Sequence, residues 1–439
     1  ELGNKTLEEY YSNKYLADTI NLGRLLDIEL LPRLQEKVFH DNFGKSILRN
    51  MFSYDNYIWY KFKKHNYPKF HININLDIDL ESFVNIPHQF NLATILIDTR
   101  NVNDYNNIKK QVRYYEKTLT KYIETNFVHN RKISRAFLKS YEIIETCGLI
   151  SPTLKTFNSF SICEAPGAFI LAVNHYVKTK TDIETFTWTA QTLNPKTKFQ
   201  GKCGLGDDFK LMRKYPKQWD FGPKKTGDVT DLNNIRYYRE TYKDKNLHLV
   251  TGDCGLALFG NLDPDLLGDK LHVAQIIIML SILKRGGNFV LKMYLPSSEP
   301  IYLSLFYLLY TRFKSFEIYK TFQNSWSAEF YIIGKSYIDP ISDIEFNNLL
   351  GLFKNFSLKK SIIPMNKIPQ PFLLQIEYIL QQLLTSFKMA IRRVIYYVDN
   401  DKDITKEHRE LLIKSMHTKN VDWNKIFKIR KIKKTDIIH

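Results

Sequence analysis

The chain predicts a doubly wound α/β domain, on three observations. Between about residues 130 and 335, short apolar runs of strand length alternate with longer apolar runs of helical period. One such run, Phe160 to Cys163, turns sharply through Pro166-Gly167 into the apolar stretch Phe169 to Val177, the pattern of a buried strand, a tight turn and a helix. Charged residues then recur at the ends of later runs, Asp253 after one and Lys292 near the end of the next. Alternation of this kind implies a mostly parallel sheet with helices on both faces. Ligands of such sheets bind outside the carboxyl ends of the strands, with a helix N-terminus at the Gly turn.

In order, Arg131 to Ile144 reads as a helix with Ile133, Phe137, Tyr141 and Ile144 inward and Lys139 off that stripe. The turn follows, and Glu164 stands at the strand end, placed to orient the turn or to meet a ligand amino group. Ile183 to Ala190 reads as a strand, Gln191 to Lys225 as a long polar loop with short helices, and Thr226 to Asp231 as a strand end with a helix N-cap. Leu247 to Asp253 is a strand ending in a carboxylate. Leu266 to Lys284 is an apolar helix stopped by Arg285-Gly286-Gly287, and Asn288 to Tyr294 is the next strand. A helix from Ile301 to Phe313 precedes strands Phe316 to Thr321 and Glu329 to Gly334. The short gap between these two suggests an antiparallel hairpin at one edge.

The 439 residues divide into 1–128, mostly helical, 129–338, the α/β domain, and 339–439, helical and basic. In the first region Asn21 to Val38 and Asp104 to Phe127 have helical period, and His71 to Leu80 alternates like a half-buried strand. The basic residues of 104–127 read as a solvated face. In the last region Asp343 to Phe356, Phe372 to Tyr397 and Lys406 to Met416 are helical by period. The run Lys425 to Lys434 interleaves basic with apolar and aromatic residues. It suits phosphate contact and equally a short element with one solvated basic face. A formal charge of +17 points to a polyanionic partner, nucleic acid first and an anionic membrane surface second. Part of that charge reflects a general richness in Lys and Asn. None of the four cysteines forms a CxxC pair, so neither a zinc site nor a disulfide framework is expected, and a reducing compartment is. No signal peptide is read at the start, and no apolar run approaches the length of a membrane span.

Lys139, Asp253, Lys292 and Glu329 fall at corresponding places in this sheet, and two lysines with two carboxylates would interlock there. A Lys of ordinary pKa is a poor base, and bringing it to about 7–8 requires roughly 4 kcal/mol from desolvation and a neighbouring cation. The second Lys is the expected source of that cation. Such an amine could deprotonate a sugar hydroxyl.

With these residues in view, residues 130–335 resemble the FtsJ family of S-adenosylmethionine-dependent RNA 2′-O-ribose methyltransferases. Ser134-Arg-Ala-Phe-Leu-Lys139 is similar to the segment carrying the family's first Lys. Glu164-Ala165-Pro166-Gly167-Ala168-Phe169 resembles its cofactor turn. Gly252-Asp253, Leu291-Lys292 and Ser327-Ala-Glu329 match the rest of its Lys-Asp-Lys-Glu tetrad. The flanks and composition look most like the FtsJ-like enzymes of African swine fever virus and other large cytoplasmic DNA viruses. The resemblance implies a seven-stranded Rossmann-like sheet with one antiparallel edge strand. It implies Lys292 as general base, Lys139 and Asp253 depressing and orienting its amine, Glu329 positioning Lys139, and no metal. Asp228 corresponds to the acid that meets the adenine amino group, and Asp253 also lies near the cofactor. The implied substrate is the cap-proximal nucleotide of viral mRNA. RNA contacts are assigned to Lys132, Arg135, Lys428, Arg430 and Lys431. Capping or transcription proteins are further partners, and the host cytoplasm, its viral factories or the virion are the expected locations.

Two positions depart from the family. Ala168 replaces the second Gly of the turn, where a methyl group is unwelcome if φ is positive. The strand ending near Ala190 lacks the acid that holds the cofactor ribose, leaving Gln191 and Asn194 as substitutes. A degenerate methyltransferase that only binds RNA or a protein is therefore the competing function. A ribosomal or transfer RNA methyltransferase shares the favoured chemistry.

Overall fold

The computed structural model describes residues 58–64, 117–196, 206–255, 264–295, 297–322, 327–399, 410, 414 and 420–438. The stretches Asn21–Val38 and His71–Leu80, all of Lys406–Met416 but residues 410 and 414, the first half of 104–127 and the middle of the 191–225 loop lie outside the described residues.

Eight strands form one sheet in the order β1-β7-β8-β6-β5-β2-β3-β4. They are β1 (Ile58–Lys61), β2 (Thr156–Ile162), β3 (Thr185–Gln191), β4 (Trp219–Asp220), β5 (Leu247–Gly252), β6 (Leu283–Tyr294), β7 (Phe313–Lys320) and β8 (Glu329–Tyr337). The helices used below are α1 (117–127), α2 (Arg135–Cys147), α3 (Ala168–Lys180), α4 (Leu211–Lys214), α5 (Leu232–Tyr242), α6 (Pro264–Ile282), α7 (Pro300–Arg312), α8 (Asp343–Lys354), α9 (Gln370–Asp399) and α10 (420–427).

Strands β4, β3, β2, β5 and β6 pair in parallel. The central strands β2 and β5 and the second half of β6 are mostly buried, as expected of strands covered on both faces. On one face Ile143 and Ile144 of α2 and Phe169 and Val173 of α3 pack on Phe157, Leu249, Val290 and Ile333. On the other, Tyr238 of α5, Ile277 of α6 and Phe306 of α7 pack on Phe160, Val250, Phe289 and Leu291. Phe346 and Leu349 of α8 and Phe372 and Ile376 of α9 belong to that same second cluster. The core thus continues without a break from the sheet into the helices after residue 340.

Three features differ from the sequence reading. The antiparallel strand β8 is not at an edge but sits between β6 and β7, antiparallel to both. An eighth strand comes from the region read as helical, with β1 pairing antiparallel to β7 and Trp59 Nε1 donating to Glu317 Oε2 at 2.8 Å. Four residues are too few to show a period. Finally, Arg285-Gly286-Gly287 does not stop a helix. α6 ends at Ile282, and β6 starts at once. The pairing then jumps from Leu247↔Leu283 to Leu249↔Asn288, so the extra β6 residues loop out at Gly286, whose φ of +80° suits glycine.

Candidate active site

Strand alternation aims the site. Lys292 shares its side of β6 with Val290, and Glu329 and Tyr331 share theirs on β8 with Ile333. That side is covered by α2, which contributes Lys139. α2 runs without interruption to Gly148, a left-handed residue at φ +59° whose N–H returns to the Ile144 carbonyl. Asp253 is the first residue beyond β5, and its N–H reaches the Ile162 carbonyl of β2 at 3.4 Å.

The four expected residues converge. Lys139 Nζ donates to Glu329 Oε1 at 2.6 Å. Lys292 Nζ lies 3.1 Å from Asp253 Oδ1 and donates to the Asp253 carbonyl at 2.9 Å. A fifth residue joins the two pairs. The Tyr331 hydroxyl is 2.9 Å from Asp253 Oδ1 and 3.0 Å from Glu329 Oε1. Burial first, then the two carboxylates, push this phenol well above its ordinary range, so it stays a donor. Tyr331 was legible as the same-face neighbour two residues after Glu329. Its role depends on a partner 78 residues away, which no local pattern shows.

The electrostatics correct one expectation. Lys292 is held above, not below, its ordinary pKa. Burial works to lower it, but Asp253, Tyr294 and Glu329 together outweigh that. Each lysine has a carboxylate of its own, so attraction dominates the repulsion expected between the two ammonium groups. A depressed lysine does adjoin the cluster, Lys320 at the end of β7. Burial brings it to about 7, with Glu329 raising it and Lys139 lowering it.

The turn of the opening motif is also resolved. Gly167 carries the positive φ, +112°, and Ala168 is the first residue of α3, outside the set of positive-φ residues. A methyl group at Ala168 therefore costs nothing in backbone strain. A Cβ at Gly167 would meet Leu211 Cδ1 of α4 at 2.3 Å, so this is the position that must remain glycine. Glu164 orients the turn, because its Oε1 accepts the N–H groups of Phe169 and Ile170 at 2.8 and 3.2 Å. Burial nevertheless pushes this carboxyl up to about 8. The Ala165–Pro166 bond is cis, and Phe169 points into the core.

Gln191 is not available to a ribose, whereas Asn194 is partly exposed. Gln191 is fully buried, takes the Cys163 N–H on Oε1 at 3.1 Å and donates through Nε2 to the Gly227 carbonyl at 2.5 Å. Asn194 donates to Lys225 O and accepts from Lys196 N–H. Asp228 is partly exposed, and its Oδ1 accepts from the N–H and hydroxyl of Thr230. Asp228 and Asp253 both act on Cys254, and Asp253 also acts on Glu164 of the Gly167 turn. Two such acceptors fit the amino groups and positive charge of S-adenosylmethionine.

The basic candidates fall in one neighbourhood. α10 and the extended residues after it lie across α2 and α3, with Trp423, Phe427, Ile429 and Ile432 in a cluster with Phe137, Tyr141 and Leu171. Ile432 N–H donates to Phe127 O at 3.1 Å, and the ring Nε2 of His129 and of His175 lie 2.8 Å from Ile432 O and Arg430 O. Lys428 and Lys431 are exposed between the docked residues, as is Lys132, while Arg135 is partly exposed. Arg430 donates to Thr179 O at 3.3 Å. Glu142, one turn after Lys139, locks this segment to the site helix by accepting from Trp423 Nε1 and Phe322 N–H at 2.8 and 2.9 Å.

Residues 133–337 match the FtsJ-like methyltransferase family. A protein of Acanthamoeba polyphaga mimivirus is 32% identical over 273 residues, covering 61% of this chain and 34% of its own length. The zebrafish cap-specific mRNA (nucleoside-2′-O-)-methyltransferase 2 is 34% identical over 262 residues, covering 56% and 34%. The probable methyltransferase EP424R of African swine fever virus is 32% identical over 257 residues, covering 55% and 58%. The chain therefore spans only part of the length of each of these relatives. The matched segment begins just ahead of Lys139 and ends beyond Glu329, so all four charged site residues lie inside the part of the chain that is similar to the FtsJ-like methyltransferase family.

Proposed function

We propose that this chain transfers a methyl group from S-adenosylmethionine to the ribose 2′-oxygen of a cap-proximal nucleotide of mRNA. The observation that carries the reading is the convergence of Lys139, Asp253, Lys292 and Glu329, linked through Tyr331, at the carboxyl ends of β5 and β6. The similarity to a cap-specific methyltransferase supports the substrate, and the two viral relatives support a viral mRNA made in the cytoplasmic factories of a host.

The cofactor supplies an electrophilic methyl carried by a cationic sulfonium. Asp253, Asp228 and the Gly167 turn would hold it. The chain's own residues manage the proton. Lys292 rests as an ammonium because Asp253 stabilises its charge. Its proton must pass to bulk water before transfer, and the resulting neutral amine then accepts the proton of the 2′-hydroxyl as that oxygen is methylated. Lys139 and Glu329 stay paired and keep the second carboxylate from displacing Asp253. Alignment of the hydroxyl with the methyl group contributes much of the rate.

Transfer of radiolabelled methyl to short RNAs tests this. A capped RNA should be methylated, and the same RNA with a 2′-deoxyribose at the target nucleotide should not. Equal labelling of uncapped RNA would redirect the reading to ribosomal or transfer RNA. No labelling of any RNA, with cofactor binding retained, would favour the binding-module alternative.

A further inference from the structure

We infer that Lys320 is a positioning residue of this site, a donor that pins the first residue of β8 so that Glu329 meets Lys139. The inference rests on reading the cluster as a methyl-transfer site. Lys320 closes β7 and is fully buried. Its Nζ donates to the Ser327 carbonyl at 2.6 Å and to the Glu329 carbonyl at 3.0 Å. Both carbonyls belong to the chain that enters β8, and Glu329 is its first residue. The other end of the connection is pinned as well, by Phe322 N–H on Glu142 of α2. The Glu329 carboxylate is thereby framed on both sides before it reaches Lys139.

Charge balance says which form of Lys320 does this. Lys139 and Lys292 face Glu329 and Asp253, two ammonium groups against two carboxylates. Among the described residues no carboxylate lies within ion-pair distance of Lys320, so a third ammonium would be buried without a partner of its own, which is costly. Burial accordingly brings Lys320 to about 7, against the pull of Glu329 and with the push of Lys139. A neutral amine has two N–H donors, and two carbonyls accept them. The side chain thus acts as a hydrogen-bonding bracket rather than as a charge.

Lys320→Met keeps the stem and removes the donors. Lys320→Gln keeps an uncharged pair of N–H donors on a slightly shorter stem. The first readout is amide hydrogen exchange at residues 327–333 of the full chain, without cofactor or RNA. Lys320→Met should accelerate it about tenfold or more relative to β5, and Lys320→Gln should restore part of the protection, since an unpaired buried carbonyl pair is expected to open locally. The second readout is turnover. kcat should fall about tenfold in Lys320→Met, with the cofactor KM within about twofold, and recover in part in Lys320→Gln. Unchanged exchange in Lys320→Met overturns the inference whatever the activity. Loss of kcat and cofactor binding together, without rescue by Gln, also overturns it, because that marks general damage to the fold. If exchange responds as stated while the parent transfers no methyl, the bracket stands and the methyltransferase reading fails.

Discussion

Lys139 Nζ and Glu329 Oε1 meet at 2.6 Å, although 190 residues separate them in sequence. Both side chains are nearly excluded from solvent, at 9% and 7% exposure. Removing one member of a buried pair leaves the other charged and unpaired, which costs about 3–5 kcal/mol. Lys139→Met should therefore lower unfolding stability by about that amount, and Glu329→Gln in the same chain should recover part of it. Urea unfolding of the single and double variants checks the sign of the coupling.

Tyr331 offers a cleaner cut. Its ring is fully buried, and its hydroxyl is what reaches Asp253 and Glu329. Tyr331→Phe keeps the packing and removes the hydroxyl. Stability should fall by about 1–3 kcal/mol, the cost of leaving buried acceptors short of a donor. kcat should fall more than cofactor affinity, measured by steady-state kinetics beside a binding titration. Equal loss in both would assign the hydroxyl to the fold alone.

The docked C-terminal segment changes how RNA binding is tested. Deleting residues 425–439 would remove Ile429 and Ile432 from the core, so the charges must be neutralised one by one. Lys428→Gln and Lys431→Gln are exposed changes. Each should reduce the slope of log affinity against log salt by about 0.7 for a single-stranded RNA, if each releases one counterion. An unchanged slope in filter binding would move the groove elsewhere, towards Lys132 and Arg135.

His175 makes stability depend on pH. Burial lowers it to about 4, while the Arg430 carbonyl and Lys180 act more weakly in opposite directions. The unfolded chain binds this proton near the ordinary value of about 6.5. The neutral ring's contribution is thus complete above about pH 6.5 and is lost as pH falls towards 4, because the unfolded state takes up the proton first. Unfolding free energy should drop between pH 7.5 and 5. His175→Gln should flatten that drop, and an identical slope in the variant would contradict the assignment.

The charged members of the site were legible because each sits at a strand end or on a helix, where local pattern places it. Lys139, Asp253, Lys292 and Glu329 needed only the alternation of runs and the motifs around them. What was hidden depends on partners far away in sequence. Gln191 looked like a ribose ligand, but it clamps Cys163 to Gly227. Ala168 looked strained, but the left-handed residue is Gly167. Lys320 falls in phase with Phe316 and Ile318 on a strand buried on both sides, so its burial follows from strand alternation while its carbonyl partners do not. The level of the Lys292 pKa was misjudged because it depends on which carboxylate each lysine meets, and that is a tertiary fact.

The central claim is that Lys292 is the base, and Lys292→Arg tests it most directly. Lys292 is buried against Asp253, and an Arg there can keep an ion pair but cannot give up its proton near neutral pH. Single-turnover methyl transfer to capped RNA, at saturating cofactor and RNA, should be abolished in Lys292→Arg and in Lys292→Ala. Cofactor binding by calorimetry should stay within about tenfold of the parent in both, because the proposed partner of the amine is the ribose hydroxyl rather than the cofactor. In the parent the transfer rate should rise with pH, because Asp253 holds Lys292 as an ammonium above its ordinary pKa and only the neutral amine can act as a base. A Lys292→Arg variant that transfers methyl at close to the parent rate would reduce Lys292 to a strand-end ion pair and contradict the mechanism.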